Sequence, residues 1–304
     1  MERFLDPASV AASDAGAAGR PGKIGGKIMF DYAKISTRQS AVNPAGHVVV
    51  LTIAGSDSGG HAGIQADLAT FAAHDVFGTT AITCLTAQNP EGVSAIRAMP
   101  AAFVMEQILQ VERYFRLRAL KTGMLFSSGI IGAVADFLRA HRGIPAVVDP
   151  VMVATSGAVL LKPRALAAVR TRLLPLAALV TPNLDEVAVL LGEKPSDPAA
   201  MVDAGRTLAR TYGVPFLVKG GHLPGNGLTD VLAWPAGKVK VFISERISGI
   251  DAHGSGCTLS AAIAANLAKG LKLTPAVEAA RGYLLRGMRR AIKLAGRRFI
   301  NHQA

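Results

Sequence analysis

A chain of 304 residues that is 50% hydrophobic has enough apolar material for a large core, which excludes disorder over most of its length. Aromatics are scarce (5%) and glycines frequent (32), a balance that suits Ala/Val/Leu helices and strands joined by tight turns and disfavours a β-sandwich. No apolar run approaches the roughly 18 to 20 residues of a bilayer span, so no membrane association is expected.

The formal net charge of +12 is unevenly spread. Arg281, Arg286, Arg289, Arg290, Lys293, Arg297 and Arg298 supply seven of those charges, and no Asp or Glu follows Arg281. One basic C-terminal helix and tail predicts a solvated face and no nucleic-acid footprint. The two cysteines, Cys84 and Cys257, form no CxxC or Cys/His array, which argues against a disulfide framework or structural zinc and for the reducing cytoplasm.

Residues 1–46 are rich in Ala, Gly, Ser and scattered charge and read as a disordered N-terminal extension, leaving 47–304 as a single domain. Residues 1–26 lack the compact apolar core of a secretory signal, and Met29 is an alternative start. Strands are predicted at 48–53, 79–85, 146–149, 178–181 and 216–219. Helices are predicted near 64–74, 102–114, 129–141, 164–172, 184–191 and 199–212. This alternation implies an α/β three-layer sandwich, its mostly parallel central sheet covered by helices on both faces. Strands at 229–234 and 238–243 read as a hairpin turning at Ala236-Gly237, followed by helices at 256–269 and 275–293.

In parallel sheets ligands gather beyond the carboxyl ends of the strands, and several motifs fall there. The run Thr52-Ile-Ala-Gly-Ser-Asp-Ser-Gly-Gly-His-Ala-Gly-Ile-Gln-Ala-Asp67 makes a strand, a glycine-rich turn and a helix. It lacks the Lys-Ser/Thr of a Walker loop and the GxGxxG of a dinucleotide fold, so it suits a flat small substrate, with Asp67 and Gln88 offering hydrogen bonds. Asp67 as an ordinary helix-surface carboxylate is the plainer alternative. Asn183 and Glu186, three apart, share a helix face and suit the waters of a hydrated Mg²⁺, or equally a capping box. Lys219-Gly-Gly-His222 ends a strand and fits nucleotide phosphates or a simple turn, and Thr229-Asp230 opens the hairpin with the same two readings.

The most informative run is Asp251-Ala-His-Gly-Ser-Gly-Cys-Thr-Leu-Ser260, where Gly254 and Gly256 lead into an Ala-rich helix. Free amides and the dipole at such a helix start, formed by Gly254, Ser255 and Gly256, favour an anion, here a phosphoryl group in transfer. The same field favours a thiolate at Cys257 that takes the proton of a substrate hydroxyl. The alternatives are a structural turn with Cys257 as a small buried hydrophobe, or a cysteine hydrolase using His253.

In order along the chain, Thr52-Ile-Ala-Gly-Ser-Asp, Ala62-Gly-Ile-Gln-Ala-Asp67, Gln88-Asn89, Lys121-Thr-Gly-Met124, Asp149-Pro-Val-Met152, Thr181-Pro-Asn183 with Glu186, Lys219-Gly-Gly-His222 and Gly254-Ser-Gly-Cys-Thr258 resemble the hydroxymethylpyrimidine/phosphomethylpyrimidine kinases of thiamine biosynthesis. The resemblance covers about residues 48–291 and implies a ribokinase-like fold, ATP with Mg²⁺, and two successive phosphorylations, of the hydroxymethyl group and then of the monophosphate. It places Gly55, Asp67, Gln88, Met124 and Val151 around the pyrimidine, Asn183 and Glu186 at magnesium, Lys219, Gly220, Thr229 and Asp230 at the nucleotide, and Cys257 as the base where sugar kinases carry Asp. It also implies a homodimer or higher homo-oligomer. His61 stands where the family more often has glycine, reshaping a substrate lid or pointing into solvent, and Thr155 stands in the loop Ala154-Thr-Ser-Gly157 where several members carry lysine. Pyridoxal kinases share the scaffold, so a pyridoxal/pyridoxine kinase is the first competing function; a pyrimidine-binding module without turnover is another.

Overall fold

The structure is a computed structural model that describes residues 46–152, 161–221, 223 and 227–304. The expected N-terminal extension, the loop of Thr155 and His222 lie outside the described residues.

A nine-stranded sheet organises the molecule in the order β3-β2-β1-β4-β5-β6-β7-β8-β9. The strands are β1 Val49–Asp57, β2 Phe77–Asn89, β3 Gly92–Ala98, β4 Leu117–Thr122, β5 Ala146–Val148, β6 Leu179–Val180, β7 Phe216–Lys219, β8 Gly227–Ala233 and β9 Val239–Glu245. The six strands from β2 to β7 run parallel, and antiparallel pairs close both edges. Chain order reverses between β1 and β4, which opens a crevice at their carboxyl ends.

The pleat divides the apolar residues between two layers. In β1, Val49, Leu51 and Ile53 join the core under α2 Ala101–Tyr114, α3 Ser128–Ala140, α5 Leu184–Leu191 and α6 Pro198–Tyr212. Val50 points to the opposite core, with α1 Gly63–Ala73, α7 Ser255–Ala268 and α8 Leu273–Arg289. Helix α7 is buried on every side from Ala261 to Ala265, and its small residues let it press close to β4 and β5. Between α3 and α5, the expected single helix is α4 Pro163–Ala168, continued by one wide turn, Val169–Leu173, and a tight one, Leu174–Leu176.

Three elements depart from expectation. β4 was not anticipated, because Arg118 and Lys121 interrupt its apolar run. β3 was not anticipated either, since every residue in it is exposed and carries no alternation. The last helix ends at Arg289, and a hairpin follows, β10 Ile292–Leu294 and β11 Arg297–Phe299, turning at Ala295 and Gly296 with φ of 47° and 79°. Arg281 is also no part of a solvated face: its side chain is largely covered, and its guanidinium pairs with Asp230 at 2.7 Å.

Candidate active site

At the end of β1 the chain turns through a glycine-rich loop held by one carboxylate. Buried Asp57 accepts the amides of Gly59 (2.7 Å), His61 (3.0 Å) and Ala62 (2.8 Å). The turn needs two close approaches: a Cβ on Gly63 would lie 2.3 Å from the Gly55 carbonyl, and one on Gly55 would lie 2.8 Å from Cys84 Sγ and 3.1 Å from Met124 Cε. Gly55, Cys84 and Met124 therefore form one small apolar, sulfur-lined recess. Val151 is half-buried just beyond β5, after Asp149-Pro150.

Asp67 is not on a helix surface. It is fully buried on α1, with Lys121 Nζ 2.8 Å from both of its oxygens and the Thr52 hydroxyl donating at 2.6 Å. Burial raises the Asp67 carboxyl while Lys121 pulls it back; burial would lower Lys121, but Asp67, Cys257 and Asp149 outweigh it and keep the lysine charged. Gln88 lies apart, in an open depression with Ser58 and Asn89, and its backbone is fastened to the Ser58 hydroxyl.

Of the remaining expected residues, Asn183, Lys219, Asp230, Gly254, Ser255 and Gly256 line a cavity of about 360 Å³ with an apolar flank of Leu228, Ile247, Leu284, Leu285 and Met288, whereas Glu186, Gly220, Thr229 and Cys257 lie behind this lining. Its volume suits a small-molecule ligand. The start of α7 faces it. Gly254, the N-cap, is left-handed (φ 81°), carries no capping side chain, and abuts the glycine-rich turn so tightly that a Cβ would lie 1.8 Å from the His61 carbonyl. Gly256 admits the Lys219–Asp149 ion pair (3.0 Å), since its Cβ would fall 3.1 Å from Lys219 Nζ and 3.5 Å from Asp149 Oδ2. Asp149 also accepts from Thr181 (3.2 Å) and Ser260 (3.4 Å).

Asn183 and Glu186 make the full capping box: Asn183 Oδ1 accepts the Glu186 amide at 2.9 Å, and Glu186 Oε2 accepts the Asn183 amide at 2.8 Å. Glu186 Oε1 takes the Met152 amide at 3.2 Å. Burial pushes this carboxyl up to about 7 against the pull of Lys219, with Asp149 adding to the rise. Gly220 sits under the hairpin, where its Cβ would lie 2.0 Å from the Thr229 carbonyl; its amide donates to Asp230 Oδ1 at 3.0 Å.

At Cys257 burial opposes the expected thiolate. Burial pushes the thiol up to about 11, with Lys121 and the Gly63 amide pulling down and Asp67 and Asp149 pushing further up. Among the described residues no histidine stands among the main influences on the sulfur, which gives no support to a Cys/His hydrolase. His61 does not point into open solvent: it is half-buried, and its ring stacks on Phe299 at 4.1 Å. Sequence reasoning gave no role to Lys121 or Asp149, although a charged residue inside, or at the end of, an apolar parallel strand is a usable signal.

The phosphomethylpyrimidine kinase family model matches residues 57–300. A hydroxymethylpyrimidine/phosphomethylpyrimidine kinase of Rhizobium meliloti is 49% identical over 237 residues, 78% of this chain and 88% of that protein. Among solved structures, the phosphomethylpyrimidine kinase of Clostridium difficile is 39% identical with a TM-score of 0.71, covering 79% of this chain and 98% of its own. The pyridoxal kinase of Bacillus subtilis, solved as an ADP complex, is 34% identical with a TM-score of 0.78, covering 85% and 98%. With the ribokinase-like three-layer fold and a family match over most of its length, this chain belongs to the phosphomethylpyrimidine kinases and is a phosphotransferase.

Proposed function

We propose that the enzyme transfers the γ-phosphoryl group of ATP to the hydroxymethyl oxygen of 4-amino-5-hydroxymethyl-2-methylpyrimidine, and then transfers a second to the monophosphate, giving the diphosphate used for thiamine. The observation that carries this is the uncapped start of α7, where Gly254, Ser255 and Gly256 line the cavity beside Lys219, the ion-pair partner of Asp149. The adenosine packs on the apolar flank near Leu228, Ile247 and Leu284, the phosphates run toward Lys219, Gly220 and the α7 amides, and Thr229 and Asp230 shape the hairpin wall. The pyrimidine occupies the recess of Gly55, Met124 and Val151, with Asp67 acting through Lys121 and Gln88 closing from the rim.

Magnesium fits the donor set: Glu186 is a buried carboxylate that its surroundings resist charging, so a cation held through water beside Asn183 relieves it. When bound, the ion supplies charge neutralisation at the phosphates. The chain itself supplies position and fixed dipoles, the main needs of phosphoryl transfer. In the first step the alcohol oxygen bonds to the γ-phosphorus as the bond to the β-bridging oxygen breaks. ADP leaves, and the alcohol proton, which the forming phosphoester makes acidic, passes to Cys257 in the thiolate form that Lys121 and the Gly63 amide favour against burial.

The second step needs no such acceptor, because a phosphate dianion is the nucleophile. Cys257→Ala is therefore expected to slow the first phosphorylation by a factor on the order of 10² to 10⁴, the usual span of a general base, and the second far less. Equal losses in both steps would remove the base assignment. The Bacillus subtilis likeness keeps pyridoxal in view as an alternative alcohol. Phosphorus NMR after offering hydroxymethylpyrimidine, its monophosphate and pyridoxal in parallel decides between them; a product from pyridoxal alone would overturn the pyrimidine reading.

We also read the enzyme as a cytoplasmic homodimer or higher homo-oligomer. Cys84 and Cys257 are unpaired, no described helix is long and apolar enough to cross a membrane, and edge strand β3 exposes Val93 and Ile96. Light scattering at working concentration tests the assembly.

A further inference from the structure

The segment after α8 has no part in the chemistry above, yet it is fastened to the elements that build the site. Past the hairpin it is tied down repeatedly. The Asp251 amide donates to the Arg298 carbonyl (2.8 Å), the Asn301 amide to the Gly287 carbonyl (3.1 Å) and the Tyr283 hydroxyl to the His302 carbonyl (2.8 Å). Gly287 admits the tail, since its Cβ would lie 2.7 Å from the Asn301 carbonyl, and Phe299 and Ile300 are buried.

Two side chains link the tail to the site. Phe299 carries the His61 ring at 4.1 Å, and His61 belongs to the turn gathered by Asp57, whose carbonyl presses on Gly254. His302 Nε2 lies 3.0 Å from Thr258 Oγ1. That hydroxyl spends its proton on the Gly254 carbonyl at 2.9 Å, so His302 donates to it. α7 has no capping side chain to hold its first turn, and the tail supplies a brace from behind.

We propose that Phe299 and His302 are positioning residues for phosphoryl transfer: the tail clamps the glycine-rich turn against the first turn of α7 and so fixes the phosphoryl-binding amides relative to Cys257. The clamp rests on the reading in which the α7 amides receive the migrating phosphoryl group. Its purpose is geometric, because a misplacement of about 1 Å at a reacting centre costs on the order of 10²-fold in rate.

The test uses the full chain with His302→Ala, His302→Gln, which reaches the same hydroxyl with an amide N–H, and Phe299→Leu, which stays apolar but cannot stack. Steady-state kinetics are read beside binding of ADP alone and of ADP with aluminium fluoride and hydroxymethylpyrimidine, a mimic of the transferring group. His302→Ala is expected to lower kcat by about 10- to 100-fold while each KM stays within about threefold. Affinity for the fluoride complex falls by the same factor, ADP affinity holds, and His302→Gln restores most of the loss. Phe299→Leu gives a smaller change of the same kind.

A loss of kcat that only tracks the folded fraction, a rise in KM in its place, or a His302→Gln enzyme as slow as His302→Ala would reduce the tail to a structural cover and overturn the clamp. So would a His302→Ala enzyme that keeps the tight fluoride complex seen in the wild type. Should the wild type itself bind the fluoride complex no better than ADP, the assignment of the α7 amides fails, and the clamp with it.

Discussion

Two lysine–aspartate pairs flank Cys257, and they are built to opposite specifications. Lys121 meets both oxygens of Asp67 at 2.8 Å, both side chains are wholly buried, and Thr52 supplies a further donor. Lys219 meets one oxygen of Asp149 at 3.0 Å, its side chain is 13% exposed, and it lines the cavity. Burial alone would lower both lysines; Asp67 reverses this for Lys121, and Asp149 with Glu186 reverses it for Lys219. A closed pair can exchange nothing, so it acts as a fixed charge beside the thiol. An open pair can trade its carboxylate for a phosphate, which is what a nucleotide site requires.

Breaking the closed pair is expected to have the largest effect. Lys121→Met strands Asp67 in the core and is expected to cost about 3–5 kcal/mol of unfolding free energy, the usual result of removing one partner of a buried ion pair. The double variant Lys121→Met with Asp67→Asn should recover more than half, because it removes the stranded charge and not the volume. Urea unfolding measures both. A single-variant loss below about 1 kcal/mol would show that the pair is reached by water and is not closed.

The open pair should fail differently. Lys219→Met leaves Asp149 with Thr181 and Ser260, at the edge of the cavity, so its stability loss should be less than half that of Lys121→Met. Its turnover should fall by about 10² to 10³, the range for removing one preorganised electrostatic contact to a transition state. A variant that loses stability as Lys121→Met does, with kcat intact, would erase the distinction between the pairs. Next in size is Glu186→Ala, which orphans the Asn183 and Met152 amides and is expected to cost about 1–3 kcal/mol in thermal or urea unfolding.

The two pairs were not equally legible in the sequence. The strand-end positions of Asn183, Lys219 and Gly254 follow from the alternation of apolar runs and turns, and the capping box of Asn183 and Glu186 is a local pattern the structure repeats atom for atom. Asp67 was visible as a carboxylate after the glycine-rich turn, but its partner comes from β4, which Arg118 and Lys121 disguised as polar sequence. A pairing across 54 residues leaves no local trace. The opposition to a thiolate at Cys257 was hidden for a related reason: the helix field is readable from Gly254-Ser-Gly-Cys, whereas the burial that works against it comes from packing of distant elements. The tail was misread because Ala295-Gly296 is the only turn signal in a basic stretch that otherwise continues the helix.

The smallest expected effect is in pH, and it sharpens the comparison because Glu186 belongs to the open pair's surroundings while two histidines do not. Burial lowers His302 and His74 below 6.5, with His61 adding to the first and Lys269 and Arg286 to the second. The unfolded chain then binds more protons than the folded one, so their contribution to stability is present above pH 6.5 and is lost as pH falls through the depressed folded values. Glu186 runs the other way. Its folded pKa of about 7 exceeds the ordinary 4.5, so its contribution is present below 4.5 and is lost as pH rises through 7. Between pH 5 and 6.5 the two slopes oppose, which predicts a wild-type stability profile shallower than that of a variant lacking either set of groups. Glu186→Gln should expose the histidine slope, with the melting temperature falling as pH drops from 6.5 to 5. His302→Gln with His74→Gln should expose the opposite slope, with the melting temperature rising over the same interval. Identical profiles in all three proteins would mean that Glu186 is already charged, relieved by Lys219, and that the open pair holds three ionised groups without a nucleotide.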